Sequence, residues 1–270
     1  MNDPESIKIT VATVTWNAAS VLQRTLQSVA EQVYPKVQHV IVDGCSSDQT
    51  LTLLRQYQEL ESHEGELRHD ILVLSETDKG LYDAMNKAIA LSDGDYIVFL
   101  NAGDKFHDPQ VLSRVAAAAK KGKPAVIYGD TDVVDDSGNF LRLRHLRPPL
   151  HLDWKTFRRG MLVCHQAFFA RIDLAQRTSY NLRYRFSADY DWCIRIMKAG
   201  QALKAPMANL GIVVADYLDG GMTTKNHRRS LMERLRIMAK HYGWPTALAM
   251  HTSFIFRVAL RAVKTSPSQP

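Results

Sequence analysis

The sequence predicts an α/β fold, doubly wound around a mostly parallel sheet. Three observations carry that prediction. Short β-branched runs alternate with stretches at helical spacing through residues 7–130, the pattern of parallel strands joined by crossover helices. The runs end in acidic or amide-bearing loops, as at the sheet edge where open α/β folds bind ligands. The chain has 270 residues, 46% of them hydrophobic, enough for one sizeable core or a core with an appendage.

Ile7 to Thr15 reads as the first strand, broken by Trp16-Asn17. Ala18 to Gln32 places Val21, Leu22, Leu26 and Val29 at helical spacing, and Pro35 closes the unit. Val37 to Val42 is the second strand, ending at Asp43-Gly44-Cys45-Ser46-Ser47-Asp48. Asp48 suits the N-cap of a helix through Leu51, Leu54 and Tyr57. After a charged loop over 63–69, Ile71 to Leu74 is the third strand, ending at Glu76-Thr77-Asp78-Lys79-Gly80. The next helix, Leu81 to Leu91, turns Leu81, Ala84, Met85, Ala88 and Ile89 inward. That leaves Tyr82, Asp83 and Asn86 off the core face. Asp83 and Asn86 either line a site or fix the loop before them.

Ile97 to Leu100 is an apolar run bounded by Gly94 and Gly103, as expected of a strand buried on both faces. It leads to Asp104. By itself this carboxylate is equally a turn cap or a ligand for a divalent cation. Val111 to Ala119 is helical, and Ala125 to Tyr128 is a further strand ending at Gly129-Asp130. The second half is less regular. Thr131 to Val134 and Phe140 to His145 suit a hairpin around Asp136-Ser137-Gly138. An apolar run carries His165-Gln166, Ser187 precedes a helix opening Ala188-Asp189-Tyr190-Asp191, and Leu203 to Tyr217 is expected to hold two short strands.

Charge is unevenly placed. Nine of the 34 Lys and Arg residues lie after residue 222, with Glu233 alone among the 28 acidic ones. The body is therefore slightly acidic and the tail strongly basic, which argues against a nucleic-acid surface on the body. Cys45, Cys164 and Cys193 fall in no metal or disulfide spacing, which fits a reducing compartment. The polar first residues lack the apolar segment of a secretory signal, and no run reaches an uninterrupted membrane-spanning length.

The polar strand ends suit a nucleotide. Asp43 can accept from a base N–H or a ribose hydroxyl, Asp78 and Lys79 can flank the nucleoside, and Asp104 can ligate a cation. Asp189, at a helix start that keeps it ionised, can act as base on an incoming hydroxyl. Thr13-Val14-Thr15-Trp16-Asn17, Val42 to Asp48, Asp78 to Asn86, Leu100-Asn101-Ala102-Gly103-Asp104, His165-Gln166 and Ala188 to Asp191 together resemble family 2 glycosyltransferases of the GT-A fold. The closest flavour is the bacterial surface-polysaccharide or O-antigen type, and the resemblance spans roughly residues 7–222.

The resemblance implies an inverting transferase. It would move a sugar from a nucleotide-diphosphate sugar, UDP-linked in most members, to a glycan or lipid-linked acceptor with Mn²⁺ or Mg²⁺. It implies a catalytic domain over 1–222, with a nucleotide-sugar half at 7–130 and an acceptor half at 131–222, before a basic helical tail at 223–270. Asp104 corresponds to the metal ligand, Asp43 to the base-pocket acid, and Asp189 to the catalytic base with Asp191 as rival. Thr15, Asn17, Asp78, Lys79 and Asn101 fall on the nucleotide side. Asp83, Asn86, His165 and Asp191 fall on the donor and acceptor side. Asn101 and Gly103 stand where many members have Asp, Gly44 replaces a second Asp, and Ala188 replaces a Glu. Cation binding is therefore expected to be weak without nucleotide.

In the tail, 226–241 carries a stripe of Leu231, Leu235 and Met238 among basic residues, and Ser253, Arg257, Arg261 and Lys264 form a polar stripe further on. This suits an interfacial helix on anionic lipid over 226–264, or a helix packed on the body or a second subunit. The first reading places the protein at the inner face of a bacterial plasma membrane. Two rival functions are a sugar-nucleotide nucleotidyltransferase and a non-catalytic sugar-nucleotide binder. The former requires a Gly-rich basic loop after the first strand, where Trp16-Asn17-Ala18-Ala19 stands.

Overall fold

The computed structural model describes residues 6–63, 69–220 and 226–252. Among these a mixed sheet runs in the order β3-β2-β1-β4-β8-β6-β9-β5, with β7 on β6. Its first four strands are β1 (Ile9–Thr15), β2 (Val37–Asp43), β3 (His69–Ser75) and β4 (Tyr96–Phe99). All pair in parallel. Every residue of β1, β2 and β4 is buried, as their β-branched runs require. Helices α1 (Ala19–Ala30), α2 (Thr50–His63) and α3 (Leu81–Leu91) make the crossovers. Asp48 accepts from the Thr50 amide at 2.9 Å and the Ala19 amide at 3.1 Å, so one side chain serves the starts of both α2 and α1.

Beyond β4 the sheet departs from the mostly parallel expectation. After β5 (Lys105–Phe106) and α4 (Val111–Lys120), β6 (Val126–Val134) lies antiparallel to β7 (Phe140–Leu143) and to β8 (Phe168–Arg171), and β8 lies antiparallel to β4. The expected hairpin is present. The strand ending at Tyr128 and the hairpin's first arm are one element, because β6 continues through Gly129 with a shift of register against its neighbour. That neighbour is β9 (Met207–Leu218), also one strand where two were expected. It continues through Gly211 at φ 68°, a conformation glycine adopts freely. The short α5 (Ile172–Gln176) precedes α6 (Ala188–Ala202).

The tail helix α7 (His227–Tyr242) packs on the body. Ile237 and Met238 are buried, Leu235 and Ala239 join the core, and the Tyr242 hydroxyl donates to the Trp154 carbonyl at 2.6 Å. Much of the apolar face read as lipid-facing is thus covered by protein, which corrects the membrane reading over 227–242. A helical stretch follows over 244–252. Residues 253–264, which carry the rest of that expectation, and the boundary at 222/223 lie outside the described residues. Among the described residues no helix is long and apolar enough to cross a membrane.

His39 sits fully buried in β2, with Thr13 Oγ1 at 2.9 Å from Nε2 and the Tyr57 hydroxyl at 3.0 Å from Nδ1. Burial, reinforced by the charge of His69, pushes its pKa down to about 3. Between pH 3 and 6.5 the unfolded chain therefore binds a proton at this residue that the folded chain does not, and stability rises with pH in that window. Between pH 7 and pH 5 the urea midpoint of His39→Gln is expected to shift upward relative to that of the wild type, because the variant lacks this proton-linked loss. An unchanged slope against pH in the variant would assign the acid sensitivity elsewhere.

Candidate active site

The carboxyl ends of β1, β3 and β4 open into a cavity of about 570 Å³ closed on its far side by the 165–166 turn, the start of α6 and the end of β9. Thr15, Asp78, Asn101, Asp104, His165 and Asp189, all expected site residues, line it together with Trp16, Tyr82, Gln166 and Tyr217. Thr15 Oγ1 and Asn101 Oδ1 are buried without a hydrogen-bond partner. Buried polar atoms left this way cost free energy until a ligand or water satisfies them.

At one end Trp16 stands 68% exposed as a wall. Beside it, Asp78 Oδ1 accepts from the Gly80 amide at 2.7 Å, and Oδ2 takes no hydrogen bond from any described residue. A Cβ on Gly44 would lie 2.7 Å from that Oδ2 and 3.4 Å from Trp16. The carboxylate of Asp78 therefore occupies space that a side chain at 44 would need.

Asp104 lies deeper. Its Oδ2 accepts from Gln166 Nε2 at 2.7 Å and its Oδ1 from the Leu218 amide at 3.0 Å. Burial pushes its carboxyl up to about 6, against the pull of Gln166, the Leu218 amide, His165 and Arg24. Gly103 has φ 99°, and a Cβ there would lie 2.8 Å from the Leu218 side chain. An Asp at 103 would be strained at this φ, which leaves Asp104 as the carboxylate this turn offers.

Asp189 faces this group from the first turn of α6. Tyr82 donates to its Oδ1 at 3.2 Å, as does the Tyr190 amide at 2.9 Å, and His165 Nδ1 lies 3.4 Å from Oδ2. Asn101 Nδ2 lies 3.1 Å from His165 Nε2, a contact in which the amide donates and Nδ1 is the ring nitrogen left facing Asp189. Burial pushes the Asp189 carboxyl up, but His165, the Arg234 guanidinium and the Tyr190 amide outweigh it and hold it below its ordinary value. It is an ionised acceptor at neutral pH.

Six expected residues do not line the cavity. Asp43 is fully buried and its oxygens are taken by the Ser46 amide at 2.9 Å, the Ser46 hydroxyl and the Ser75 hydroxyl at 2.8 Å. It anchors the turn after β2 rather than presenting a carboxylate to a base. Asn17 ties the β1 loop to the β2 loop through the Ser47 amide at 2.8 Å. Asp83 accepts from the Lys79 amide at 3.0 Å, holding the loop before α3, and the Lys79 side chain points to solvent. Asn86 grips the backbone of Tyr180 with both its carbonyl and its amide, at 2.6 and 3.1 Å. Asp191 is buried between Arg195 at 2.6 Å and His241 at 2.8 Å, with Lys240 at 3.3 Å. Burial pushes its carboxyl up, but these partners hold it far below the usual range. It is an ion-pair anchor and no rival to Asp189.

Tyr82 corrects the helix-face expectation in the other direction. It is buried and reaches the Asp189 carboxylate. Gln166 was visible only as half of a His-Gln pair, and nothing local marks Tyr217. Outside the cavity His107, Asp132 and Asp216 bring potential ligand atoms within 4.8 Å of one another. There His107 and Lys105 already engage the two Asp216 oxygens at 2.7 and 3.2 Å.

A mixed α/β sheet with a carboxylate-bearing cleft at its strand ends defines a GT-A-type fold, and residues 10–177 match the family described as Glycosyl transferase family 2. The chain belongs to that family and is a glycosyltransferase. It is 34% identical over 224 residues, 82% of this chain and 81% of the relative, to a PGL/p-HBAD biosynthesis glycosyltransferase of Mycobacterium bovis. It is 30% identical over 220 residues to the amylovoran biosynthesis glycosyltransferase AmsB of Erwinia amylovora, covering 77% of this chain and 71% of the relative. Among solved structures, S. aureus TarS 1-349 in complex with UDP-GlcNAc matches 92% of this chain and 72% of its own at a TM-score of 0.64 and 15% identity. The mannosyltransferase PcManGT from Pyrobaculum calidifontis, in complex with GDP-Man and Mn²⁺, matches 96% of this chain and 81% of its own at a TM-score of 0.62. These two likenesses are of fold.

Proposed function

We propose that the chain transfers a sugar, with inversion, from a nucleotide-diphosphate sugar, UDP-linked in the first instance, to a hydroxyl of a glycan or lipid-linked acceptor. The observation that carries this is the placement of Asp78, Asp104 and Asp189 along one cavity. Trp16 offers a face for a nucleobase and Asp78 Oδ2 an acceptor for a base N–H. Asp189 then takes the proton of the acceptor hydroxyl as its oxygen attacks the anomeric carbon and the bond to the diphosphate breaks. Tyr82 and His165 hold that carboxylate in place. A single displacement of this kind inverts the centre and needs one base.

The Asp104 carboxylate and Asn101 Oδ1 are oxygen ligands of the kind a hard divalent cation, Mn²⁺ or Mg²⁺, takes. One carboxylate and the unpartnered Asn101 Oδ1 are few ligands, so the diphosphate supplies the remainder. When bound, the cation neutralises the leaving diphosphate. The names of the M. bovis and E. amylovora relatives support an acceptor in glycolipid or polysaccharide biosynthesis. A nucleotide-sugar donor places the reaction in the cytoplasm, and a lipid-linked acceptor brings the enzyme to the inner membrane face.

A thermal-shift panel of UDP, GDP and dTDP, each with and without Mn²⁺, tests the donor. UDP with Mn²⁺ at 100 times its Kd is expected to stabilise by about 2.7 kcal/mol, a shift of several degrees, and UDP alone by less. No response to any nucleotide would sink the reading.

A further inference from the structure

Glu233, on α7, is 44 residues beyond Asp189 and outside the cavity, yet it holds the segment that delivers Asp189. Its Oε1 accepts from the Arg185 amide at 2.9 Å, and its Oε2 from the Phe186 and Ser187 amides at 2.8 and 3.0 Å. Three consecutive N–H groups thus converge on one carboxylate. Ser187 is the N-cap of α6 but makes no side-chain cap. Its hydroxyl turns instead to Ser230 Oγ on α7, at 2.9 Å. The start of α6 is therefore held from outside by α7. Four residues downstream of Ser187, Asp191 ties the same helix turn to His241 near the other end of α7. Asp189 lies between these two attachments. Tyr82 and His165 reach its carboxylate at 3.2 and 3.4 Å, and its shortest bond, 2.9 Å from the Tyr190 amide, comes from the same helix turn, so the carboxylate moves with the start of α6.

We propose that Glu233 is a positioning residue for the catalytic base: it clamps the amides of residues 185–187 and thereby sets where the Asp189 carboxylate meets the acceptor hydroxyl. The basic tail helix then belongs to the catalytic machinery, with its one acidic residue performing this task. A charge-assisted bond from an amide to a carboxylate is stronger and shorter than a neutral one, and three of them restrain the backbone on which the base is carried. The inference rests on the sugar-transfer reading above.

The test uses the full chain and its Glu233→Gln and Glu233→Ala variants. Hydrogen exchange at residues 185–187 is expected to rise strongly in Glu233→Ala and less in Glu233→Gln, with α7 and β1–β4 still protected. Turnover is read as nucleoside diphosphate released, with water or an added glycan hydroxyl taking the sugar, from whichever UDP-, GDP- or dTDP-linked donor the wild type uses. Displacing a reacting group by about 1 Å costs on the order of 100-fold. The kcat of Glu233→Ala is expected to fall by that order and that of Glu233→Gln by less, while the donor KM and the Kd for the nucleotide with Mn²⁺ hold within about twofold. A merely structural residue would lower kcat only in proportion to the folded fraction. Released amides with a wild-type kcat per folded molecule would overturn the positioning role. Amides that stay protected would overturn the clamp. A wild type that releases nothing from any donor refutes the transfer reading instead, and the exchange result still decides whether the clamp exists.

Discussion

Asp189→Asn is expected to lower kcat by on the order of 1,000-fold, within the range for loss of a general base, and to leave nucleotide affinity within about twofold. The substitution is close to isosteric. Tyr82 and the Tyr190 amide, at 3.2 and 2.9 Å, still find a carbonyl oxygen at Oδ1. What disappears is the acceptor for the proton of the incoming hydroxyl. The nucleotide end of the cavity, at Thr15, Trp16 and Asp78, belongs to the end of β1, the loop after it and the loop after β3, and is untouched. Steady-state turnover and calorimetric titration of UDP with Mn²⁺ separate the two quantities. A parallel loss of binding would reassign Asp189 to the nucleotide.

Asp104→Asn is expected to cost on the order of 100-fold in kcat and to abolish the cation-dependent part of nucleotide binding. The free protein carries this carboxyl at about 6 because it is buried. A cation and a proton compete for it, so cation-dependent binding strengthens as pH rises towards about 6 and levels off above. The stability of the free protein runs the opposite way. Between the unfolded carboxyl value near 4 and about 6, the folded chain holds a proton that the unfolded chain has lost, so stability from this group is full below that window and lost as pH rises through it. Bound cation restores stability at neutral pH by favouring the ionised form. In Asp104→Asn this pH-linked loss and its rescue by Mn²⁺ both vanish, which a thermal-shift series across pH reads directly.

The first half of the fold was legible because its strands are short, β-branched and bounded by turn residues. Ile9–Thr15, Val37–Asp43 and Tyr96–Phe99 are buried on both faces and have no polar alternation to confuse the reading. The second half was less so. Gly129 and Gly211 look like strand ends, and only pairing between β6 and β9 carries the strands past them. The cavity's carboxylates Asp78, Asp104 and Asp189 were legible as polar residues at strand ends and a helix start. The role of Asp43 was not. Its partners Ser46 and Ser75 take up its oxygens, and Asp78 enters the space beside Gly44, a meeting across two loops that spacing along the chain does not encode. Tyr82 looked peripheral because a helical face assigned from α3 alone ignores α6, which arrives from more than 100 residues away. The pair of Asp191 with Arg195 is local, at i,i+4, while His241 and Glu233 act across the full reach from α7 to α6.

The most direct measurement is calorimetric titration of UDP into wild type and Asp104→Asn, with and without Mn²⁺, beside titration of Mn²⁺ alone. In wild type, UDP is expected to bind at least about tenfold more tightly with Mn²⁺. Mn²⁺ alone is expected to bind weakly, because Asp104 brings one carboxylate whose oxygens already accept from Gln166 and Leu218. In Asp104→Asn the effect of Mn²⁺ should be gone. Tight Mn²⁺ binding by the free wild-type protein, or UDP binding that ignores both the cation and the substitution, would contradict a shared site for nucleotide and cation at Asp104.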